Sequence, residues 1–265
     1  MRWLDALAKR APPAAEASVA DRMAQAFAAA SRGDHAAALE IWGPLAQAGV
    51  ARAQNNVGAC FADGLGAERD PSLAARWLEL SAQAGDPVGR RNLAALYFKG
   101  EGVEQDYARA AELYRSAAKA GDGPAQDMLS WMLIEGEVTT PDHAEARRWA
   151  LAAAAQGVAA SMTRLGMIFH NALGVERDPV AAVGWWAKAA ALGDSDGQAM
   201  LGAAYHLGAG VDRDPLAAFT WLLRARSGGS PLAGQFFAAV GATLSADEIA
   251  EAERRAAAPL AETGA

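Results

Sequence analysis

The chain has only one cysteine, Cys60, among its 265 residues. A single thiol cannot form an intramolecular disulfide, and it cannot supply a zinc site built on several cysteines. The chain also has fewer basic than acidic residues, with 24 lysines and arginines and 31 aspartates and glutamates. The resulting net charge of −7 argues against a nucleic-acid-binding surface built on bulk positive charge.

Long hydrophobic runs are missing as well. No stretch approaches the ~20 apolar residues of a membrane span. The first ten residues, MRWLDALAKR, contain no apolar run long enough for the core of a signal peptide, because Asp5 interrupts the apolar residues. We therefore expect a cytoplasmic protein without a membrane span. Aromatic residues make up only 7% of a chain that is 52% hydrophobic and rich in alanine, which favours closely packed helices over sheets.

The dominant positive feature is a repeat of thirty-six residues. A fixed period of this length is typical of a solenoid, in which one short unit is stacked many times. Both a glycine and an aspartate follow this period. The glycines are Gly49, Gly85, Gly121, Gly157, Gly193 and Gly229, and the aspartates are Asp34, Asp70, Asp106, Asp142, Asp178 and Asp214.

The residue pattern within each repeat predicts two antiparallel helices. In residues 87–122, the segment VGRRNLAALYF has the apolar spacing of an amphipathic helix. Gly100 and Gly102 then allow a tight reversal of the chain. Asp106 is a suitable N-cap for the second helix. Gly121 stands where the end of that helix needs a left-handed residue.

These motifs resemble the Sel1-like repeat, a relative of the tetratricopeptide repeat. The resemblance lies in Gly-x-Gly-Val, then Asp, then Ala with Trp or Tyr, and Ala-Ala before Gly, as in ALYFKGEGVEQDYARAAELYRSAAKAG. It implies an all-α fold, a right-handed superhelical α/α solenoid of 36-residue Sel1-like repeats. Proteins with such repeats generally act as scaffolds or adaptors.

The repeats divide the chain into four parts. The loop of the third full repeat has Val138 in place of the second glycine, so we expect a different loop path there, and Ala172 replaces the first glycine of the next repeat. The expected parts are a flexible N-terminal arm at 1–16, a degenerate first repeat at 17–50, five repeats at 51–230, and C-terminal capping helices with a tail at 231–265.

The candidate binding surface lies on the first helix of each repeat, opposite its core-facing side. By resemblance to tetratricopeptide stacks, positions 2, 5, 9 and 12 of each 36-residue repeat line a concave groove. We expect its large apolar residues to anchor a partner and its arginines to engage acidic groups. The predicted partner-binding residues are Arg52, Asn55, Arg91, Phe98, Asp127, Trp131, Ile134, Met167, His170 and His206.

Other conspicuous residues have structural interpretations. His170 and His206 lie one period apart, but two histidines without a third ligand make a poor metal site, so no metal or cofactor is expected. Cys60 occupies a position that is apolar in the other copies, so we expect a buried thiol. Four tryptophans share one register in the second helices and should pack one repeat on the next: Trp77, Trp149, Trp185 and Trp221.

No catalytic motif appears. The Gly-x-Gly loops lack the full GxGxxG spacing and a following Lys-Ser/Thr, and neither a nucleophile elbow nor a His-Glu-x-x-His motif is present. We therefore predict a non-catalytic scaffold or adaptor that binds a protein or peptide in its groove. Three alternatives stay open: an envelope-associated or secreted interaction protein, a self-assembling homo-oligomer joined through the groove or the Trp3 arm, and an enzyme on a solenoid scaffold.

Overall fold

The computed structural model describes residues 17–136 and 140–260. Throughout these residues helices alternate with short loops, and no strand occurs in them. The all-α prediction is therefore confirmed. The expected N-terminal arm at 1–16 and the altered loop path at Val138 lie outside the described residues.

Two compact units divide the chain, Met1–Asp106 and Tyr107–Ala265. The described part of the first unit contains α1 Val19–Ser31, α2 His35–Gln47, α3 Ala51–Asp63, α4 Pro71–Gln83 and α5 Pro87–Lys99. The described part of the second unit contains α6 Tyr107–Lys119, α7 Gly123–Glu135, α8 His143–Ala154, α9 Ala159–His170, α10 Pro179–Ala191, α11 Ser195–Leu207, α12 Pro215–Ser227, a 3-10 turn Pro231–Ala233, α13 Gly234–Gly241 and α14 Ala246–Ala257.

Five of the periodic aspartates cap the second helices as predicted. The Asp70 carboxylate accepts a hydrogen bond from the Leu73 backbone N–H at 2.9 Å. The same bond forms at the start of α2, α8, α10 and α12. Each such cap is worth about 1 kcal/mol because it satisfies a backbone donor that has no partner within the helix. The periodic glycines that follow the second helices are all left-handed, with φ of +92° at Gly121.

The second glycine of the inter-helix loop has an additional structural role. A Cβ atom at Gly102 would collide with the Pro71 carbonyl group and come within 2.6 Å of the Ser72 backbone nitrogen. A Cβ atom at Gly210 would collide in the same way with the Pro179 carbonyl oxygen. These glycines therefore let one repeat approach the start of the preceding repeat's second helix, an inter-repeat contact that the periodicity did not predict.

Small residues on the first helix face large residues on the second. Gly166 of α9 lies under the indole of Trp186 in α10, where an added Cβ would come within 2.7 Å of Cε2. The Trp186 side chain is only 2% exposed, and its Nε1 donates to the Thr163 carbonyl oxygen at 3.2 Å. Gly58 and Leu78 form the equivalent pair in α3 and α4. This pairing fills the space between the two helices of a repeat at native packing density.

The repeated tryptophans of the second helices belong to the scaffold, as predicted. Trp77, Trp185 and Trp221 are half-buried and pack against clusters of buried core residues. Trp149 is also half-buried, and its Nε1 donates to Glu145 at 3.1 Å. The fully buried position is the next one along the helix, which Trp186 occupies.

The last helix, α14, packs against α12 and covers apolar residues of its core cluster. The Ser245 side chain accepts from the Glu248 backbone N–H at 3.3 Å, and the Glu248 carboxylate accepts from the Ser245 backbone N–H at 2.8 Å. This reciprocal capping box confirms the predicted start of the helix. Ala252 and Ile249 pack against the core cluster that contains Leu222, while charged side chains occupy the outer face of the helix.

Candidate functional site

The predicted surface of the first helices is only partly open. At position 5 of the repeat, Asn55, Thr163 and Ala199 are buried, with exposed fractions of 4%, 6% and 2%. Each of these helices packs beside the first helix of a neighbouring repeat, and this packing covers position 5. In these three repeats the open strip is therefore narrower than the helical wheel of a single repeat suggests.

In the first unit, two of the predicted residues join successive repeats. The Arg52 guanidinium donates to the Asp86 carboxylate at 2.6 Å. Asp86 is itself buried and caps α5 through the Gly89 backbone N–H at 3.1 Å. The Asn55 side-chain oxygen Oδ1 accepts from the Asn92 side-chain amide at 2.8 Å. These contacts occupy Arg52 and Asn55 in holding α3 against α5.

The other two predicted residues of the first unit are half-buried. The Arg91 Nε donates to the Asn92 side-chain oxygen at 3.4 Å. Phe98 lies near the end of α5, where its carbonyl oxygen accepts from the Gln105 amide at 2.9 Å. Both residues retain some exposed surface, and their role in binding a partner stays a prediction.

In the second unit, Asp127 forms an ion pair between first helices. Its carboxylate lies 3.2 Å from the Arg164 guanidinium and accepts from the Ser161 hydroxyl at 2.6 Å. The two charged side chains are 13% and 16% exposed. Asp127 therefore neutralises Arg164, and little of its own charge remains for a ligand.

Trp131 and Met167 meet in one surface cavity of about 330 Å³. Trp131 is half-buried, and Met167 is 39% exposed. We call this feature the Trp131 cavity. Its lining consists of Trp131, Glu135, Ala160, Thr163, Arg164, Met167, Asp194, Asp196 and Leu232.

Ile134 has a different environment from the two residues of the Trp131 cavity. It packs against the buried cluster that includes Met162, Leu165 and Ile168. The apolar patch expected around Trp131 is therefore divided, because Ile134 contributes to the core while Trp131 and Met167 line the cavity.

The Trp131 cavity has an acidic rim. The Asp194 carboxylate accepts from the Thr163 hydroxyl and from the Gly197 backbone N–H, both at 2.7 Å. The Asp196 carboxylate accepts from the Ser230 hydroxyl at 2.6 Å. The sequence prediction did not include Asp194, because its capping position precedes the helix whose face was being considered.

A second, more apolar cavity includes one of the two histidines in its lining. His170 lines this cavity of about 210 Å³ together with Trp186 and Phe236, and its ring centroid is 5.5 Å from that of Trp186. The His206 ring lies 6.0 Å from the Phe236 ring. Within the described part of the chain, the buried Nδ1 atoms of His170 and His206 have no hydrogen-bond partner. Among the described residues no group of three or more His, Cys, Asp or Glu side chains could hold a metal ion.

Cys60 is buried in the core of the first unit, as predicted. Burial raises the pKa of its thiol, and the nearby Asp63 carboxylate raises it further. Because the thiolate is the reactive form, this position favours a packing role over nucleophilic chemistry. In the part of the chain that the structure describes, no helix has the length and apolarity that crossing a membrane requires.

The fold and these surfaces define a tandem repeat protein of helical hairpins. Its sequence matches the Sel1 repeat family in five consecutive copies, at residues 51–86, 87–122, 123–158, 159–194 and 195–230. The chain belongs to this family, which confirms the resemblance seen in its motifs. Sel1 repeats typically act as scaffolds for protein interactions.

Solved structures show the same fold. A Sel1 repeat protein from Oxalobacter formigenes superposes with a TM-score of 0.78 at 24% identity, covering 91% of this chain and 99% of that one. The protective antigen c5321 of uropathogenic Escherichia coli, which displays an SLR fold, gives a TM-score of 0.74 at 25% identity. That match covers 96% of this chain but 55% of the antigen.

A third similar structure belongs to an immunity protein. The immunity protein Pa5087 from Pseudomonas aeruginosa is 19% identical, with a TM-score of 0.51 over 88% of this chain and 87% of that one. At this identity the likeness concerns the fold alone. No match is found among curated proteins.

Proposed function

We propose that this protein is a non-catalytic interaction scaffold that binds a peptide or a partner domain on the first helices of its repeats. The observation that carries the proposal is the Trp131 cavity. Its lining brings together the half-buried Trp131 and the exposed Met167, which come from two consecutive repeats. Large apolar side chains in a concave surface are the usual anchors of a protein interface.

The remaining predicted residues have secondary places in this proposal. Phe98 and Arg91 form a separate candidate contact surface on α5 of the first unit. In the second unit, His170 lines the second cavity, and His206 lies next to Phe236 of that lining. Arg52 and Asn55 hold α3 against α5 in the first unit. Asp127 and Ile134 support the first helices of the second unit. A cytoplasmic location stays a prediction.

Affinity capture from the native cell lysate tests the proposal. The bait is the full chain, compared with a Trp131→Ala/Met167→Ala variant. A matched control is Leu151→Ala/Val180→Ala, which shortens two exposed apolar side chains on the second helices of the same unit. We expect specific proteins to be retained by the wild type and by the control and lost by the cavity variant.

One outcome would contradict the proposal. If the cavity variant and the wild type retain the same proteins, the binding surface lies elsewhere. If the cavity variant loses its secondary structure by circular dichroism, Trp131 is part of the core, and the more conservative Met167→Gln variant replaces it in the comparison.

A further inference from the structure

We propose that the Trp131 cavity recognises a basic segment of a partner protein, which places an apolar side chain in the cavity and a lysine or arginine at its rim. This inference rests on the proposed function and specifies the chemistry of the partner. Two independent features of the cavity support it, namely an apolar wall and an uncompensated negative rim.

The apolar wall can accommodate a side chain. Trp131, Met167, Ala160 and Leu232 all line the cavity, whose volume is about 330 Å³. This volume lies at the lower end of the range of ligand pockets, which suits one or two side chains better than a folded domain. Methionine is also adaptable, because its unbranched side chain can repack around different apolar groups.

The rim carries more negative charge than the neighbouring cation can offset. Arg164 is the basic residue that lines the cavity, and it already forms an ion pair with Asp127. Glu135, Asp194 and Asp196 line the same cavity, and none of them has an ion-pair partner among the described residues. The hydrogen bonds that Asp194 and Asp196 accept come from hydroxyl and backbone N–H groups, which are neutral donors.

The N-terminus of α11, which Asp194 caps, reduces this negative charge only in part. A helix N-terminus acts as roughly half a positive elementary charge, whereas the three carboxylates carry three negative ones. A cationic side chain at the rim would therefore gain attraction, and an acidic one would be repelled. Charges of this kind decide which partner binds and how fast it associates more than they add to total affinity.

The experiment compares three short peptides with the full-length protein. The probes are acetyl-GLRLRG-amide, acetyl-GLQLQG-amide and acetyl-GLELEG-amide, which share two leucines and carry two positive charges, no charge and two negative charges, respectively. Binding is followed by NMR of ¹³C-methyl-labelled methionine, since the chain has seven methionines. The Met167 signal is assigned as the one that disappears in Met167→Leu.

Two variants separate local charge from overall charge. Glu135→Gln/Asp194→Asn/Asp196→Asn removes three charges from the rim while keeping hydrogen-bonding side chains, and asparagine remains a good N-cap. The control carries the same change in net charge at exposed acidic residues of the first unit: Glu40→Gln/Glu68→Gln/Glu104→Gln.

We expect the arginine peptide to shift the Met167 signal and to bind about tenfold more tightly than the glutamine peptide, with the glutamate peptide weakest. The preference should vanish in the rim variant, persist in the control and weaken as salt is added. Equal binding of all three peptides, or an unchanged preference in the rim variant, would overturn the charge inference. The proposed scaffold function would survive that result if lysate capture still depended on Trp131 and Met167.

Failure of all three peptides to shift the Met167 signal would overturn the inference of a basic peptide ligand. Lysate capture would then decide separately whether the cavity takes part in any protein interaction.

Discussion

Substitution of the loop glycine Gly210 measures how strongly one repeat depends on close approach to the preceding one. Gly210 follows α11 and has a φ of +80°. An added Cβ would collide with the Pro179 carbonyl oxygen and lie 2.9 Å from the Val180 backbone nitrogen. Because Pro179 and Val180 form the first turn of α10, the backbone there cannot withdraw without disturbing that helix. Gly210→Ala therefore introduces both backbone strain and a steric clash.

Two other glycines of the same unit separate these effects. Gly193 has a φ of +85°, and an added Cβ would meet nothing within 4 Å, so Gly193→Ala introduces strain alone. Gly184 lies inside α10 with equally open surroundings, so Gly184→Ala introduces neither. We expect a loss of about 1 kcal/mol at Gly193 and a gain of roughly 0.5–1 kcal/mol at Gly184. At Gly210, overpacking adds about 1–3 kcal/mol to the strain, for a total loss of about 2–4 kcal/mol.

Equilibrium unfolding in urea, followed by far-UV circular dichroism, gives the free energies of unfolding for the wild type and the three variants. The comparison is valid where the slopes against urea agree, because a changed slope in a repeat protein indicates partial unfolding. The expected order of stability is Gly184→Ala, wild type, Gly193→Ala and Gly210→Ala.

Equal losses for Gly193→Ala and Gly210→Ala would refute the argument, because they would show that the contact with α10 contributes nothing. If Gly193→Ala instead has the same free energy of unfolding as the wild type, the argument that a left-handed alanine is strained would be refuted.

Three further predictions concern other parts of the chain. Burial raises the pKa of the Cys60 thiol, so iodoacetamide at neutral pH should label it slowly in the native protein and rapidly in urea; rapid native labelling would contradict this. Hydrogen bonds from Ser245 lower the pKa of Glu248. These bonds should therefore stabilise α14 fully above pH 4.5, the ordinary pKa of a glutamate, and the stabilisation should disappear as the pH falls through the lower pKa that Glu248 has in the folded protein. Hydrogen exchange of the α14 amides measures this pH dependence, and Glu248→Gln should abolish it. Trp131→Ala should cost about 1 kcal/mol in urea unfolding, whereas Trp186→Ala should cost about 3–5 kcal/mol; equal losses would place both in the core.

The fold was predictable because its determinants are local and repeated. An N-cap depends on one side chain and the next few backbone groups, so Asp70 and Asp214 could be assigned from their spacing alone. Left-handed glycines such as Gly121 end helices for an equally local reason. Repetition reinforced each assignment, because the same signal returned in copy after copy.

The candidate site was harder to predict because it depends on contacts between repeats. A helical wheel assigned Asn55 to the open face, yet the next first helix buries it through Asn92. Arg52 was expected to engage an acidic partner, and it pairs with Asp86 thirty-four residues away in the chain. Such contacts depend on how closely and at what angle two helices pack, which a periodic pattern does not specify.

By itself the sequence determined the architecture of this protein: helical hairpins of a Sel1 repeat family member, with most second helices marked by an aspartate at the start and a left-handed glycine after the end. Only the tertiary structure decided which surface remains open, how Trp131 and Met167 share a cavity, and which charges there lack a counter-ion among the described residues. The physical reason is that caps and amphipathic faces are short-range properties of the chain. Exposure and charge balance arise when residues about one repeat apart are brought within a few ångströms by packing.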